Sequence, residues 1–267
     1  MNIAVIGAGT IGRAIIESLL KSDLVATIYA TRRRIEKIKD LELNSVFITK
    51  DNKLAAKNSD VVILSVKPLD VLSVLDEIQE YIKGKLVISL VAAIPIGSLK
   101  QKAPEAKFVR AMPNIAVLVQ ESFTAYATDG SLTEEDSLLV QMIFGSLGMY
   151  IEVEEKYLDA FTGLTGSGPA YMFTIIEAFM YAGLKVGLPR ELALYSAAQL
   201  AIGAGKMVLQ LKKHPAELKD MVVTPGGTTI EGIYMMEDNR VRTALIKAVV
   251  AATEKSKIIT EQLKNNE

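Results

Sequence analysis

The chain contains no cysteine, no tryptophan and a single histidine, His214, among its 267 residues. Without thiols there are no disulfides, no thiolate metal sites and no cysteine nucleophile. One imidazole excludes an imidazole-rich metal site and makes a serine–histidine triad a poor fit. An excess of charge is also missing. Thirty basic and 31 acidic residues leave a formal net charge of −1, which gives no electrostatic case for nucleic acid or an anionic membrane. The amino end, MNIAVIGAG, lacks the basic stretch and long apolar core of a secretory signal. No apolar run reads as long enough to span a bilayer: the greasiest region, Leu192 to Gly205, is broken by Gln199 and flanked by charge. These absences together predict a soluble, cytoplasmic protein. What is plentiful is apolar side chain, 50% of the total, enough core for one large domain or two ordinary ones.

The first half alternates between strand and helix patterns. NIAVI at 2–6 reads as a buried strand, followed by GAGTIG and a helix to about Ser22. Further strands are expected at 25–29, 45–48, 61–66, 86–91, 107–111, 123–127 and 149–153, with a short helix near NKLAAKN and longer ones at 69–81 and 133–146. Short apolar strands that do not alternate in polarity suit a sheet covered on both faces. Their regular exchange with helices predicts an α/β, doubly wound, Rossmann-type domain over 1–153. After Glu154 the strand patterns stop and long helical ones take over, near 155–164, 168–186, 190–212, 228–237 and 241–264. Residues 154–267 therefore read as an all-α domain. Within it, ALYSAAQLAIGAGKM is apolar or small-sided nearly all round, so every face needs cover. Too few layers are available in about 110 residues to supply it, which predicts packing against a second subunit, a homodimer through this domain. The alternative is a helix interior to its own chain.

Gly7-Ala8-Gly9-Thr10-Ile11-Gly12 is G-x-G-x-x-G, a weak signal alone but placed here between a strand and a helix, the context that dinucleotide binding requires. Gly7 permits the tight turn, Gly9 lets backbone approach a pyrophosphate, and Gly12 allows close helix–strand packing. The helix amino end adds unpaired N–H groups and partial positive charge. An NAD site usually places an acid after the second strand to hold the ribose hydroxyls. Here that region reads YATRRR, with Thr31, Arg32 and Arg33 where a carboxylate would stand. A hydroxyl and cations suit a 2′-phosphate, so NADPH is the expected cofactor, with NADH possible. The other reading of those arginines is a solvated basic helix start.

Other motifs carry less. GAGK at 203–206 does not make a phosphate loop, because residue 200 is leucine and Met207 stands where Ser or Thr must bind magnesium. His214, beside Pro215 at a helix end, reads as a structural histidine meeting the helix dipole. GLTGSGPAYMF at 163–173 starts a long helix with Pro169 in its first turn. β-Hydroxyacid dehydrogenases resemble this stretch, and Gly163, Gly166 and Gly168 fit them. Their catalytic lysine position is Met172, and the asparagine position is Ile176. The missing lysine removes the proton carrier for alcohol-to-ketone chemistry.

The stretch KDMVVTPGGTTIEGI at 219–233 is unusual in a helical region. Gly226 and Gly227 expose backbone amides, and a helix starting near Thr228 adds its unsatisfied N–H groups, together an anion site without a cation. A plain Pro-Gly turn with a threonine cap fits the same residues equally well.

Taken in order, GAGTIG, LSVKP at 64–68, RAMPN at 110–114, GLTGSGPAY and LKDMVVTPGGTTIEGI resemble pyrroline-5-carboxylate reductase over essentially the whole chain. The resemblance implies reduction of 1-pyrroline-5-carboxylate to L-proline by NAD(P)H, the last step of proline synthesis, in a protein that dimerises through its helical domain and sometimes forms larger rings. It implies that Thr224, Gly226, Gly227, Thr228 and Thr229 bind the substrate, with Thr229 the catalytic partner of the ring nitrogen. Val66, Lys67, Pro68, Ala92, Ala93 and Asn114, at strand ends where open sheets bind ligands, would line the cofactor, with Asn52 on the adenosine side. Lys212 departs from relatives that carry an acid there. Two alternatives share the cofactor domain: a reductase of another small cyclic imine, and a non-catalytic NADP-binding regulator.

Overall fold

The computed structural model describes residues 1–22, 24–42 and 45–264. Its chain forms two compact units, residues 1–167 with 251–267, and residues 168–250. The sequence changes character earlier, at Glu154.

The first unit is built on an eight-stranded sheet: β1 (Asn2–Ile6), β2 (Thr27–Thr31), β3 (Val46–Thr49), β4 (Val61–Leu64), β5 (Leu86–Ser89), β6 (Lys107–Met112), β7 (Ser122–Thr128) and β8 (Gly148–Glu152). Their spatial order is β3-β2-β1-β4-β5-β6-β7-β8, and every neighbouring pair is parallel except β6 with β7. Connecting helices are α1 (Thr10–Leu19), α2 (Asn52–Lys57), α3 (Pro68–Ile78), α4 (Ile96–Lys102), α5 (Glu134–Leu147) and α6 (Leu158–Phe161). Successive strand side chains point to opposite faces. Ile3, Val5 and Ile63 accordingly join α1 and α5 in one core, while Ala4, Ile6 and Leu64 join α2, α3 and α4 in the other. Burial on both faces is why these strands are apolar without alternation.

Several local devices fix the elements. Thr133 and Asp136 form a reciprocal capping box at the start of α5, at 3.2 and 2.8 Å. Lys85 closes the carboxyl end of α2 by donating to the carbonyls of Ala56, Lys57 and Ser59 at 2.7–3.3 Å. The carboxyl part of α11 (Val241–Lys264, the last helix) joins this unit through Asp159, which accepts from Ser256 at 2.7 Å and Thr260 at 3.3 Å.

The second unit holds α7 (Gly168–Lys185), α8 (Arg190–Leu211), α9 (Pro215–Asp220), α10 (Thr228–Asp238) and the start of α11. α7 and α8 pack closely where Gly183 meets Ala193: a Cβ on Gly183 would lie 2.7 Å from that of Ala193. Most of α8 remains uncovered by its own chain. Only Ala193 and Ala197 are buried, while Tyr195 is 70% exposed and Leu200 54%. The helix is therefore not interior to this chain. By length and composition α8 also reaches bilayer-spanning size, with 22 residues that include an 18-residue stretch of mean hydropathy 1.4, contrary to the expectation from sequence. A single glutamine does not interrupt a helix, and Lys206 falls near its end.

Other expectations shift. The helix expected over 155–164 is a 3₁₀ turn at Glu155–Tyr157, the four-residue α6, and a π turn at Thr162–Gly166, as befits a run interrupted by Gly163 and Gly166. His214 is no helix terminator: it precedes α9, and its Nδ1 accepts from Ala216 N at 3.2 Å as an N-cap. α8 instead ends on Lys212, in the left-handed region at φ 52°.

Candidate functional site

The sheet's strand order reverses direction between β1 and β4, and a cavity of about 810 Å³ opens there at the carboxyl ends of the strands. Ligands of open α/β sheets bind at this switch point. Gly7, Gly9, Thr10 and Ile11 line the cavity from β1, Thr31, Arg32 and Arg33 from β2, and Val66, Lys67 and Pro68 from β4, with Asn52 and Ala92 completing the predicted set present. Ala8 and Ala93 are buried behind it and Gly12 is packed beneath it. Asn114 is not in its lining. That side chain caps a turn by accepting from Ala116 N at 2.9 Å, and the Asn114 backbone N–H donates to Ser122 Oγ at 3.0 Å.

The glycines fit a loop pressed against β4. Gly7 sits at φ +93°, and a Cβ there would meet Ser65 backbone at 2.8 Å; one on Gly12 would meet the Gly7 carbonyl at 2.7 Å. Gly9 has open space where a side chain would stand, with only the Gly7 carbonyl at 3.9 Å. Gly7 and Ala8 N–H groups both donate to the Thr31 carbonyl, at 3.1 and 2.8 Å, so the end of β2 fixes the loop. A backbone cradle left clear at Gly9 at the head of α1 is what a bound pyrophosphate needs.

The rim is strongly basic. Arg34, Lys37 and Lys50 also line the cavity, against one acid, Asp70. Arg34 is the last arginine of YATRRR, whereas Lys37 and Lys50 escape the sequence reading; Lys50 is findable, because it follows β3 as Arg32 follows β2. Thr31 is 2% exposed and its hydroxyl donates to Asn52 Oδ1 at 2.7 Å, so it orients Asn52 more than it faces the cavity. Asn52 in turn donates to Glu77 at 2.9 Å. Arg32 donates to the Ala8 carbonyl at 2.9 Å, tying cation to loop. Arg33, 83% exposed, pairs with Asp70 at 2.6 Å. An exposed pair of this kind is weak and leaves Arg33 available to a better anion.

The predicted substrate residues lie in the second unit. Thr224-Pro225-Gly226-Gly227 turns back on itself, with Gly227 N donating to the Thr224 carbonyl at 3.0 Å and Gly226 at φ +66°. Gly227 is then the N-cap of α10 and offers no side chain to its first amides. A Cβ at Gly227 would fall 2.3 Å from Thr224 Oγ1, so a larger residue there would force the Thr224 side chain to move. Thr228 and Thr229 occupy the first turn of α10, whose leading N–H groups have no intrahelical acceptors.

Residues 2–93 match the family described as NADP oxidoreductase, coenzyme F420-dependent, and residues 155–259 match pyrroline-5-carboxylate reductase dimerisation. Fold and cavity together define a pyridine-nucleotide oxidoreductase with a Rossmann-type sheet and a helical dimerisation domain. A pyrroline-5-carboxylate reductase of Methanosarcina acetivorans is 40% identical over 261 residues, covering 96% of this chain and 97% of the relative, and one of Arabidopsis thaliana is 38% identical over 97% and 96%. The crystal structure of the Plasmodium falciparum pyrroline carboxylate reductase with NADP bound has a TM-score of 0.89 at 31% identity, covering 97% of this chain and 98% of that one. The chain belongs to the pyrroline-5-carboxylate reductase family.

Proposed function

We propose that this protein reduces 1-pyrroline-5-carboxylate to L-proline, the final step of proline biosynthesis. The observation that carries the reading is the likeness, along nearly the full length of both chains, to reductases named for that substrate. A reduced nicotinamide, when bound, supplies the hydride that the imine carbon accepts. In the protonated imine that carbon is already electron-poor, so the chain needs no strong acid. This accords with a sequence that has no cysteine and one histidine engaged as a helix cap.

The residues then have distinct tasks. Gly7, Ala8, Gly9, Thr10, Ile11 and Gly12 shape the pyrophosphate cradle, while Val66, Lys67, Pro68, Ala92 and Ala93 border the rest of the cofactor and Asn52 its adenosine side. Arg32 and Arg33, with Lys50 nearby, hold a 2′-phosphate, which makes NADPH the preferred donor over NADH; the basic rim supports this. Gly226, Gly227 and the leading amides of α10 hold the substrate carboxylate, with Thr224 and Thr228 shaping the turn. The Thr229 hydroxyl meets the ring nitrogen and orients the ring. Asn114 keeps a place near the cofactor only through the resemblance, since its side chain is engaged in a turn. The division of labour follows residues 1–153 for cofactor and 154–267 for substrate and dimerisation. The uncovered apolar α8 supports a homodimer through that domain, and a larger ring, as some of the family form, would need a second contact between dimers. A small-molecule reductase of this kind works in the cytoplasm, apart from nucleic acid or membrane.

Steady-state oxidation of NADPH and NADH with 1-pyrroline-5-carboxylate, its six-membered homologue and 2-oxo acids tests the proposal. Preferred turnover of the five-membered imine with NADPH is the expected result. Tight NADP⁺ binding without turnover of any of these would identify a regulator instead. Thr229→Ala should lower kcat/KM for the imine about tenfold or more while NADP⁺ affinity stays the same. Unchanged kcat/KM removes Thr229 from its role.

A further inference from the structure

Three features of the first unit stand near one another without a shared explanation. Arg110, on β6, is only 4% exposed, an expensive place for a guanidinium unless it is paired. Its Nη1 donates to Glu155 Oε1 at 3.0 Å, while Nη2 is buried with no hydrogen-bond partner among the described residues. The same Glu155 oxygen accepts from Ile96 N at 2.8 Å. Pro95 is the N-cap of α4 and gives no side-chain cap, so Glu155 supplies from 59 residues away what a local cap would provide.

The segment so anchored leads directly to the cavity. It runs from the end of β5 through Ala92, which lines the cavity, and Ala93 to the head of α4. Ala93 is at φ +67° and 3% exposed, a left-handed alanine. Such a conformation costs of order 1–3 kcal/mol and persists only where its surroundings over-determine it. Upstream the segment is held by Leu90 N donating to the Leu64 carbonyl at 2.9 Å. Downstream it is held at Ile96 by Glu155. Release of that end lets Ala93 relax and carries Ala92 with it.

We infer that Arg110 and Glu155 are positioning residues for the cofactor cavity: Arg110 aims the carboxylate, the carboxylate fixes Ile96, and Ile96 holds Ala92–Ala93 in the strained path that borders the bound nucleotide. This rests on the cofactor placement proposed above. Neither residue touches the cavity.

The test compares two double variants that both remove the Arg110 and Glu155 charges. Arg110→Met with Glu155→Gln keeps an acceptor for Ile96 N; Arg110→Met with Glu155→Leu does not. The expected result is NADP⁺ binding, measured by calorimetry, about tenfold weaker in the leucine variant than in the glutamine variant, with faster amide exchange over residues 90–96. KM for NADPH should rise by the same factor while kcat at saturating nucleotide stays within about twofold. Equal NADP⁺ affinity in the two variants overturns the inference. Glu155→Asp keeps the negative charge and draws the shared oxygen back from Ile96 and Arg110 alike, so it asks the same question without neutralising either residue. Faster exchange over 90–96 with unchanged NADP⁺ affinity in that variant overturns the inference too. Failure of the unaltered protein to bind NADP⁺ is a different result, and overturns the cofactor placement itself along with what rests on it.

Discussion

Among the cavity's cations, Arg32 and Arg33 hold different jobs although they are neighbours. Arg32 is bound to the Ala8 carbonyl, whereas Arg33 points outward to Asp70. Arg33→Ala should therefore raise KM for NADPH about tenfold and barely change KM for NADH. Arg32→Ala should raise both, and NADPH the more, since the glycine loop loses a tether that either nucleotide needs and the 2′-phosphate loses a cation. Steady-state titration of each cofactor distinguishes the two patterns, and equal effects on both cofactors in Arg33→Ala would reject its phosphate role. The same scale shows what the sequence makes legible. Gly7, Gly9 and Gly12 are readable because a motif with fixed spacing reports a fixed backbone shape. Arg110 and Glu155 are not, because their bond joins residues 45 apart and no local pattern records it. In the second unit, Gly227→Ala should lower kcat/KM for the imine while NADP⁺ affinity is kept, because the new Cβ displaces the Thr224 hydroxyl. Unchanged kcat/KM in that variant would show that the turn has room the geometry denies.

Elements differ in how plainly they announce themselves. β1, β4 and β5 are short, mainly aliphatic runs with polar residues only at their ends, and the pattern places each within a residue or two of its actual span. α4 went unseen because IGSLKQK is brief, begins after a proline and takes its cap from Glu155 rather than from its own flank. α5 is the opposite case, with its cap written locally in Thr133 and Asp136. Burial works to raise the Asp136 pKa, but hydrogen bonds from Lys107 and Thr133 outweigh it and hold the carboxyl below its ordinary 3.8. A lowered acid stabilises the fold above its unfolded value, and that stability is lost as pH falls below about 4. Asp136→Asn should cost about 1–2 kcal/mol and lower Tm by a few degrees at neutral pH, with a smaller difference in acid, as thermal melts across pH 2–7 would show. At the packed interface of β7 and α5, Tyr126 is pushed up to about 12 from 10.0, first by burial and then by the charge and hydrogen bond of Glu152. A raised tyrosine contributes stability that is complete below pH 10 and lost as pH climbs through 12. Tyr126→Phe should flatten the fall of Tm between those limits; an unchanged slope would place the alkaline loss elsewhere.

At the scale of the molecule, an all-round apolar helix in a short helical region carried the most information in the sequence. Its composition required cover, and the fold leaves Leu192, Tyr195, Leu200 and Ile202 half or more exposed. If a second copy supplies that cover, Tyr195→Asp with Leu200→Lys should give a monomer by sedimentation, with cofactor binding intact. The boundary between units was less legible. Sequence character turns at Glu154, while compactness turns at Ser167 and returns to the first unit at Ala251. Little in the polarity pattern of α11 marks that return, which brings hydroxyls at Ser256 and Thr260 to a carboxylate at Asp159 and Leu263 to the sheet's core. That late hydroxyl pair has a consequence for biosynthesis. On the ribosome the nucleotide-binding sheet is synthesised first, yet its Asp159 waits for donors that leave the exit tunnel only after the entire helical unit has done so. The sheet thus matures last in one respect, and nascent chains stalled short of residue 256 should yield to protease where full-length ones resist.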